Sequence, residues 1–370
     1  MEYIVSARKY RPTTFGSVEG QENITTTLKN AIKNKQLAHA YLFCGSRGVG
    51  KTTIARIFAK TINCQNITPD FEPCNECESC KSFNENRSYS IHEMDAASNN
   101  SVDDIRLLND KVRIPPQIGS YSVYIIDEVH MLSSAAFNAF LKTLEEPPRH
   151  AIFILATTEK HKIIPTILSR CQTFDFNRIS VDTAVKRLKF VADKEGVEVE
   201  EEALNIIATK ADGAMRDALS IFDQIIAFSG KKVTYQQVIE NLNILDYDYY
   251  FNLVDAFLKE DATNALLIYN DILQHGFDGS HFINGLASHF RDLMMCKDPQ
   301  TVQLLEVGTS IKEKYAAQAL LCEKDFLYKA LEITTQCDLQ YRMARSKRLH
   351  VEFAIIGLSR ILTEKKKKLN

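Results

Sequence analysis

Three short runs in the first half of the chain are apolar at nearly every position: "AYLFCG" (40–45), "SVYIIDEV" (122–129) and "AIFILATT" (151–158). Runs of this kind mark strands buried on both faces. With helical spacing between them they predict a parallel sheet covered on both sides. A glycine-rich turn follows the first run, and helical spacing predicts a helix from about Lys51 to Ile62. From about Ser180 to Asn243 the strand signal disappears, and apolar residues in "EEALNIIATKADGAMRDALSIFDQIIAFSG" recur at helical intervals. From about Ile244 the pattern is again helical, in longer segments such as "YYFNLVDAFLK" and "YKALEITTQCDLQYRM". The expected organisation is an α/β domain over 1–179, a small helical domain over 180–243 and an all-helical domain over 244–370, ending in a charged, frayed "EKKKKLN". No internal repeat or long low-complexity tract interrupts it.

At 370 residues the chain exceeds one ordinary core, and length predicts about two or three domains. Hydrophobic residues at 45% and charged residues at 25% fit a soluble globular protein. No apolar run reaches the roughly 18 to 20 residues that cross a bilayer, and "MEYIVSARKYRPTTF" lacks the pattern of a secretory signal. The expectation is a cytosolic, cytoplasmic protein in which clustered cysteines point to metal rather than disulfides. Net charge is −2, so bulk electrostatics give no support to nucleic-acid binding by this chain alone.

The turn after the first apolar run, "GSRGVGKT" (45–52), matches G-x-x-x-x-G-K-[ST] in full. Gly45, Ser46, Arg47, Gly48, Val49 and Gly50 let backbone N–H groups curl around phosphate oxygens, at the positive end of the helix that opens with Lys51, Thr52 and Thr53. Lys51 can reach the β- and γ-phosphates, and the Thr52 hydroxyl can ligate Mg²⁺. Asp127 ends an apolar strand where a carboxylate can hold the Mg²⁺ shell, and adjacent Glu128 is placed to orient or deprotonate an attacking water. The bland alternative, a pair of acids closing a strand at the solvent, is disfavoured by the phosphate loop upstream. Thr157 and Thr158 end the third run, where a hydroxyl could sense a γ-phosphate. These features argue for hydrolysis of ATP or GTP without saying what the energy drives.

Cys64, Cys74, Cys77 and Cys80 give C-x₉-C-x₂-C-x₂-C in polar surroundings. The two close spacings suit a knuckle presenting thiolates to tetrahedral Zn²⁺; iron–sulfur ligation and a metal-free thiol group are the alternatives. Four cysteines fill every position of such a site, which makes the zinc structural. A short insertion of this kind cannot build its own core.

Further stretches narrow the class. "YRPTTFGSVEGQ", "HAYLFCGSRGVGKTTIAR", "YIIDEVHMLSSAAFNAFLKTLEEPP", "ATTEKHKIIPTILSRC" and "GAMRDALS" together resemble AAA+ ATPases of the clamp-loader group, and more narrowly the γ/τ subunit family of bacterial DNA polymerase III. The resemblance runs through about residue 242 and continues more weakly beyond. It implies an AAA+ P-loop ATPase domain with a zinc-binding insertion, a helical lid and a helical collar. It implies that Arg170 in "SRC" reaches a neighbouring subunit's ATP, that Arg216 contacts ATP from the second domain, and that Tyr10, Arg11 and Pro12 cup adenine. The ordinary readings are a surface arginine, a helix salt bridge and an extended domain entry. The cysteines lie where that family carries its zinc module.

The implied function is that of an ATP-dependent motor subunit in a hetero-oligomeric, pentamer-type clamp loader. Its implied partners are the other loader subunits, the sliding clamp and primer–template DNA, with no membrane. The longer form of that family binds polymerase and helicase through a C-terminal region, and the expectation is that those contacts are absent here. No carboxylate arrangement for nucleotide addition is present; the polymerase designation describes the holoenzyme. Asn100, Ser101 and Arg106, and "KHK" (160–162), are weak candidates for DNA contact, since Asp103 and Asp104 oppose phosphate. The rivals are a nucleotide-dependent scaffold without turnover, and an AAA+ helicase of the Holliday-junction type.

Overall fold

The computed structural model describes residues 4–85, 87–242, 244–305 and 307–369, without the side chains of 309, 310 and 364–369. The expected boundary residue Asn243 and the chain ends lie outside them. Tertiary contacts divide the chain into two compact units, Met1–Gly196 with Lys210–Gln224, and Val197–Thr209 with Ile225–Asn370.

The first unit opens with α1 (Ser6–Lys9) and α2 (Glu22–Lys33), then β1 (Ala40–Cys44), α3 (Lys51–Ile62) and α4 (Glu78–Asn84). There follow β2 (Ile91–Asp95), α5 (Val102–Val112), β3 (Ser122–Asp127), α6 (Ser134–Glu145), β4 (Ala151–Thr157), α7 (Pro165–Leu168), β5 (Gln172–Asp175) and α8 (Val181–Glu195). The five strands are all parallel, in the order β2-β3-β4-β1-β5. This is the doubly covered parallel sheet that the apolar runs predict. Successive side chains alternate faces. Tyr41, Phe43, Val123 and Ile154 pack with Ile54 and Phe58 of α3, while Leu42, Tyr124, Ile126 and Phe153 pack with Phe137 and Phe140 of α6.

The edge strands β2 and β5 lack a continuous apolar run. β2 reads I-H-E-M-D, and β5 buries one residue of four. An edge strand needs one buried face only, so its hydrophobic signal is half that of β1 or β4.

Beyond α8 come β6 (Glu198–Val199), α9 (Glu201–Lys210), α10 (Met215–Ser229), β7 (Lys232–Val233) and α11 (Tyr235–Leu242). β6 and β7 form a parallel pair in a region where the sequence shows no strand signal; two residues are too few to display a period of two. The second unit continues with α12 (Tyr247–Leu258), α13 (Ala262–Gln274), α14 (Gly279–Met295), α15 (Thr309–Leu321), α16 (Lys324–Tyr341) and α17 (Lys347–Leu369). Its core is built from Phe257, Phe282, Leu286, Phe290, Tyr315, Phe326 and Ile355. The tail expected to fray is helical up to Leu369. Among the described residues no helix is long and apolar enough to cross a membrane.

Candidate functional site

Strand order decides where chemistry can gather. β4 lies between β1 and β3, so the parallel arrangement brings the carboxyl ends of all three side by side, at Cys44, Thr157 and Asp127. Ligands of open parallel sheets bind in the crevice beyond those ends.

The loop after β1 depends on its glycines. Gly45 (φ +152°) has no room for a Cβ, which would meet Phe176 Cβ and its carbonyl oxygen at 2.8 Å. Gly48 (φ +78°) would meet Ala214 Cβ at 2.9 Å. Gly50, at φ +105°, occupies the left-handed region just before α3. Lys51 is buried in the first turn of α3, and its ammonium donates to the carbonyls of Gly45 at 2.7 Å and Ser46 at 2.8 Å. Burial pushes its pKa below the ordinary lysine value, opposed by the nearby carboxylates of Glu128 and Asp127. Thr52 Oγ1 donates to Asp127 Oδ2 at 2.7 Å, joining loop and acid.

A cavity of about 520 Å³ opens here, within the range of small-molecule sites. Arg47, Gly48, Val49, Gly50, Lys51, Thr52, Thr53, Asp127 and Glu128 line it together with Tyr10, Arg11, Pro12, Glu19, Arg216 and Ser220. Gly45 and Ser46 meet it through the lysine they hold. Arg11 has its pKa lowered by burial, and further by the positive charges of Arg56 and Arg216, partly offset by Glu93. Cations held near one another beside an amide-rich loop suit a polyanion. Glu19 has Oε2 buried without a hydrogen-bond partner, an acceptor for a nucleoside N–H or O–H. The residues present therefore fit a nucleoside polyphosphate with Mg²⁺.

Tyr10 and Pro12 line the cavity, and the Tyr10 hydroxyl is engaged with Glu195 Oε1 at 2.6 Å, while its carbonyl accepts from Arg187 at 2.7 Å. Thr157 and Thr158 do not line it. Thr158 donates through its hydroxyl to Glu128 Oε2 at 3.0 Å, and Thr157 Oγ1 lies 3.0 Å from His130 Nδ1. His130 also lies 3.4 Å from Glu128 Oε2 and 3.3 Å from Glu159 Oε1. Glu128 itself has φ +48°, a conformation uncommon outside glycine. His130 was legible in "DEVH", yet nothing in its spacing assigns it a role; adjacency of β3 and β4 does.

Arg170 lies outside the cavity lining. It donates to Glu145 Oε1 at 2.7 Å and to the Thr166 carbonyl at 2.7 Å. Of the DNA candidates, Ser101 caps α5 through Asp104 N, Arg106 pairs with Asp103, Lys160 with Asp175 and Lys162 with Glu159. Each of these side chains makes a local contact, and the Asn100 carbonyl accepts from Ser133 N.

Cys64, Cys74, Cys77 and Cys80 come together with all four sulfurs within 4.8 Å of one another. Tetrahedral ligation at about 2.3 Å requires sulfurs about 3.8 Å apart. Cys64 Sγ lies 3.4 Å from Cys74 Sγ and 4.0 Å from Cys77 Sγ, so the quartet fits one metal ion. Burial raises the Cys64 and Cys80 pKa values. At Cys74 burial also acts upward, but N–H donors from Glu76 and Cys77 prevail and lower it. The remaining cysteines are dispersed, and burial raises Cys44 to about 11 and Cys171 to about 12.

Comparison with known proteins gives the family. Residues 20–180 match the family model described as DNA polymerase III, delta subunit, and residues 183–231 match that of the DNA polymerase III clamp loader subunit, ATPase lid domain. The DNA polymerase III subunit gamma of Buchnera aphidicola subsp. Acyrthosiphon pisum is 42% identical over 279 residues, covering 75% of this chain and 77% of that protein. The chain belongs to the DNA polymerase III gamma/tau family. Another gamma/tau-family relative, the DNA polymerase III subunit tau of Bacillus subtilis, is 44% identical over 97% of this chain. This chain spans 63% of that relative's length. A solved structure titled as the Thermotoga maritima RuvB Holliday junction branch migration motor covers 67% of this chain and 79% of its own at TM-score 0.47 and 19% identity, too distant to bear on function.

Proposed function

We propose that this chain is an ATP-hydrolysing motor subunit of a clamp loader, coupling ATP binding and hydrolysis to loading of a sliding clamp onto primed DNA. The observation that carries the reading is the joined site. Lys51, Thr52, Asp127 and Glu128 meet in one cavity, while Arg170 of the same chain stands outside it. The loop amides and Lys51 would hold the β- and γ-phosphates. Thr52 and Asp127 would hold Mg²⁺, which neutralises phosphate charge. Glu128 accepts a proton from, or orients, the attacking water. Its carboxylate is preset by Thr158 and His130, with Thr157 linked through the same histidine.

Arg170 acts in trans on a neighbouring subunit's nucleotide, a contribution of about 10³ to 10⁵ in comparable NTPases. The other partners are the remaining loader subunits, the clamp and primer–template DNA, in the cytoplasm. Arg216 carries nucleotide state into α10, in a lid spanning 180–243, and the helices of 244–370 serve as collar. The four-cysteine knuckle holds structural Zn²⁺. The gamma and tau names of the relatives, and the clamp loader lid model, support this reading.

Steady-state ATP hydrolysis by the chain alone, and then with clamp, companion loader subunits and primed DNA, tests the proposal. Strong stimulation is expected. A rate indifferent to all of them would favour the non-catalytic scaffold.

A further inference from the structure

The loop between Cys64 and Cys74 carries a carboxylate whose partners lie outside the cysteine knuckle. Glu72 Oε2 accepts from Phe15 N at 2.7 Å and Oε1 from Gly16 N at 2.8 Å. Oε1 also meets the Lys29 ammonium of α2 at 2.6 Å. One side chain thus joins three separate parts of the unit: the cysteine loop, the short helix Phe15–Ser17 and α2. The loop is closed on itself to present it. Thr68 N donates to Glu72 O at 3.0 Å, and Glu72 N donates to Thr68 Oγ1 at 3.0 Å. Phe71, immediately before, is held at φ +58° and packs against the core cluster that includes Phe15. A bulky residue in that conformation persists only where its surroundings over-determine it.

The Phe15–Ser17 helix leads to Ser17, Val18 and Glu19, which with Tyr10, Arg11 and Pro12 form part of the cavity wall. We propose that Glu72 is a positioning residue for that wall, and that the cysteine knuckle serves the nucleotide site by holding Glu72 against the Phe15 and Gly16 amides. The carboxylate is half-buried, with 14% of its side chain exposed, and it accepts two charge-assisted amide bonds, the one from Phe15 partly buried and the one from Gly16 at the surface. At its other edge the knuckle is seated on the phosphate-loop helix. Lys60 of α3 is buried and donates to Asn75 at 2.6 Å and Asn84 at 3.3 Å. The knuckle therefore spans from α3, whose first turn carries Lys51, to the Phe15–Ser17 segment. The loop amides would hold phosphate independently of the Phe15–Ser17 segment, so Glu72 controls the nucleoside end.

The binding arm of the test rests on the nucleotide reading; an exchange arm does not. The 370-residue wild type, Glu72→Gln and Glu72→Asp are compared for affinity toward a fluorescent ATP analogue and toward inorganic tripolyphosphate. Amide exchange is followed in peptides covering 10–21, and zinc content is measured throughout. Glu72→Gln is expected to weaken the ATP analogue about tenfold, as loss of a charged acceptor does, with tripolyphosphate affinity and zinc content unchanged. It also speeds exchange at Phe15 and Gly16, with partial rescue in Glu72→Asp. Chelated wild type is expected to show the same faster exchange. Wild-type affinity and exchange in Glu72→Gln, or equal loss for both ligands, would overturn the proposal. Native exchange in the chelated chain would overturn the role of the knuckle. If wild type binds neither ligand the nucleotide reading fails, and the exchange comparison still decides Glu72.

Discussion

The Thr52 hydroxyl donates to Asp127 Oδ2 at 2.7 Å, tying the first turn of α3 to the last residue of β3 across 75 positions of sequence. These two oxygens are the groups that would share Mg²⁺, so the pair is preassembled at the distance of a hydrogen bond. Asp127→Ala is expected to remove the preference for magnesium-bound ATP over free ATP. Titration of nucleotide with and without Mg²⁺ measures it, and an undiminished preference would place the ion elsewhere.

Glu128 is held by Thr158 and His130 rather than left in solvent. Glu128→Gln should retain ATP binding while turnover falls by about 10² to 10⁴-fold, the range for loss of a general base. Parallel binding and single-turnover measurements separate the two effects. Equal turnover would remove Glu128 from the water-activating role.

Arg170 pairs with Glu145 outside the cavity. Arg170→Ala should leave ATP affinity of the isolated chain unchanged, yet lower hydrolysis in the assembled loader by about 10³-fold or more. A comparable loss in the chain alone would mean that the arginine serves its own site.

The cysteine quartet should bind one tetrahedral ion. Cobalt substitution is expected to give the absorption of a four-thiolate site, abolished in Cys74→Ser. Iron with sulfide recovered from the purified chain would instead favour a cluster.

His289, buried in the core of the helical unit, lies 2.8 Å from the Tyr315 hydroxyl and 3.2 Å from Gln318 Oε1. Burial lowers its pKa from 6.5 to about 4, so the fold favours the neutral ring. Its contribution is fully present above pH 6.5 and is lost as pH falls from there toward 4, reaching about 3 kcal/mol at the acid end. Thermal unfolding followed from pH 7 to pH 4 should show this loss, reduced in His289→Gln. Identical acid slopes in both chains would remove His289 as the cause.

The central strands, the helix Lys51–Ile62 and the site motifs were legible because each is local. An apolar run, a glycine-rich turn and a lysine with threonine carry their meaning within a dozen residues. The edge strand β5 and the two-residue pair β6–β7 were not, because a half-buried or very short strand leaves too little periodicity to read. Thr157 and Thr158 were placed correctly at a strand end, but their partners were not foreseen. One faces His130 and the other Glu128, since parallel pairing sets the end of β4 beside that of β3.

Residue types and their spacing determined which chemistry this chain carries: phosphate-binding amides, a lysine, a paired acid and four thiols. Only the tertiary structure decided which of these meet. Strand order put Asp127 beside Thr52, and loop closure turned Glu72 toward the Phe15 and Gly16 amides. Packing left Arg170 against Glu145 instead of in the cavity. Such pairings join residues tens of positions apart, and they arise when apolar faces are buried together, so no local window of sequence contains them.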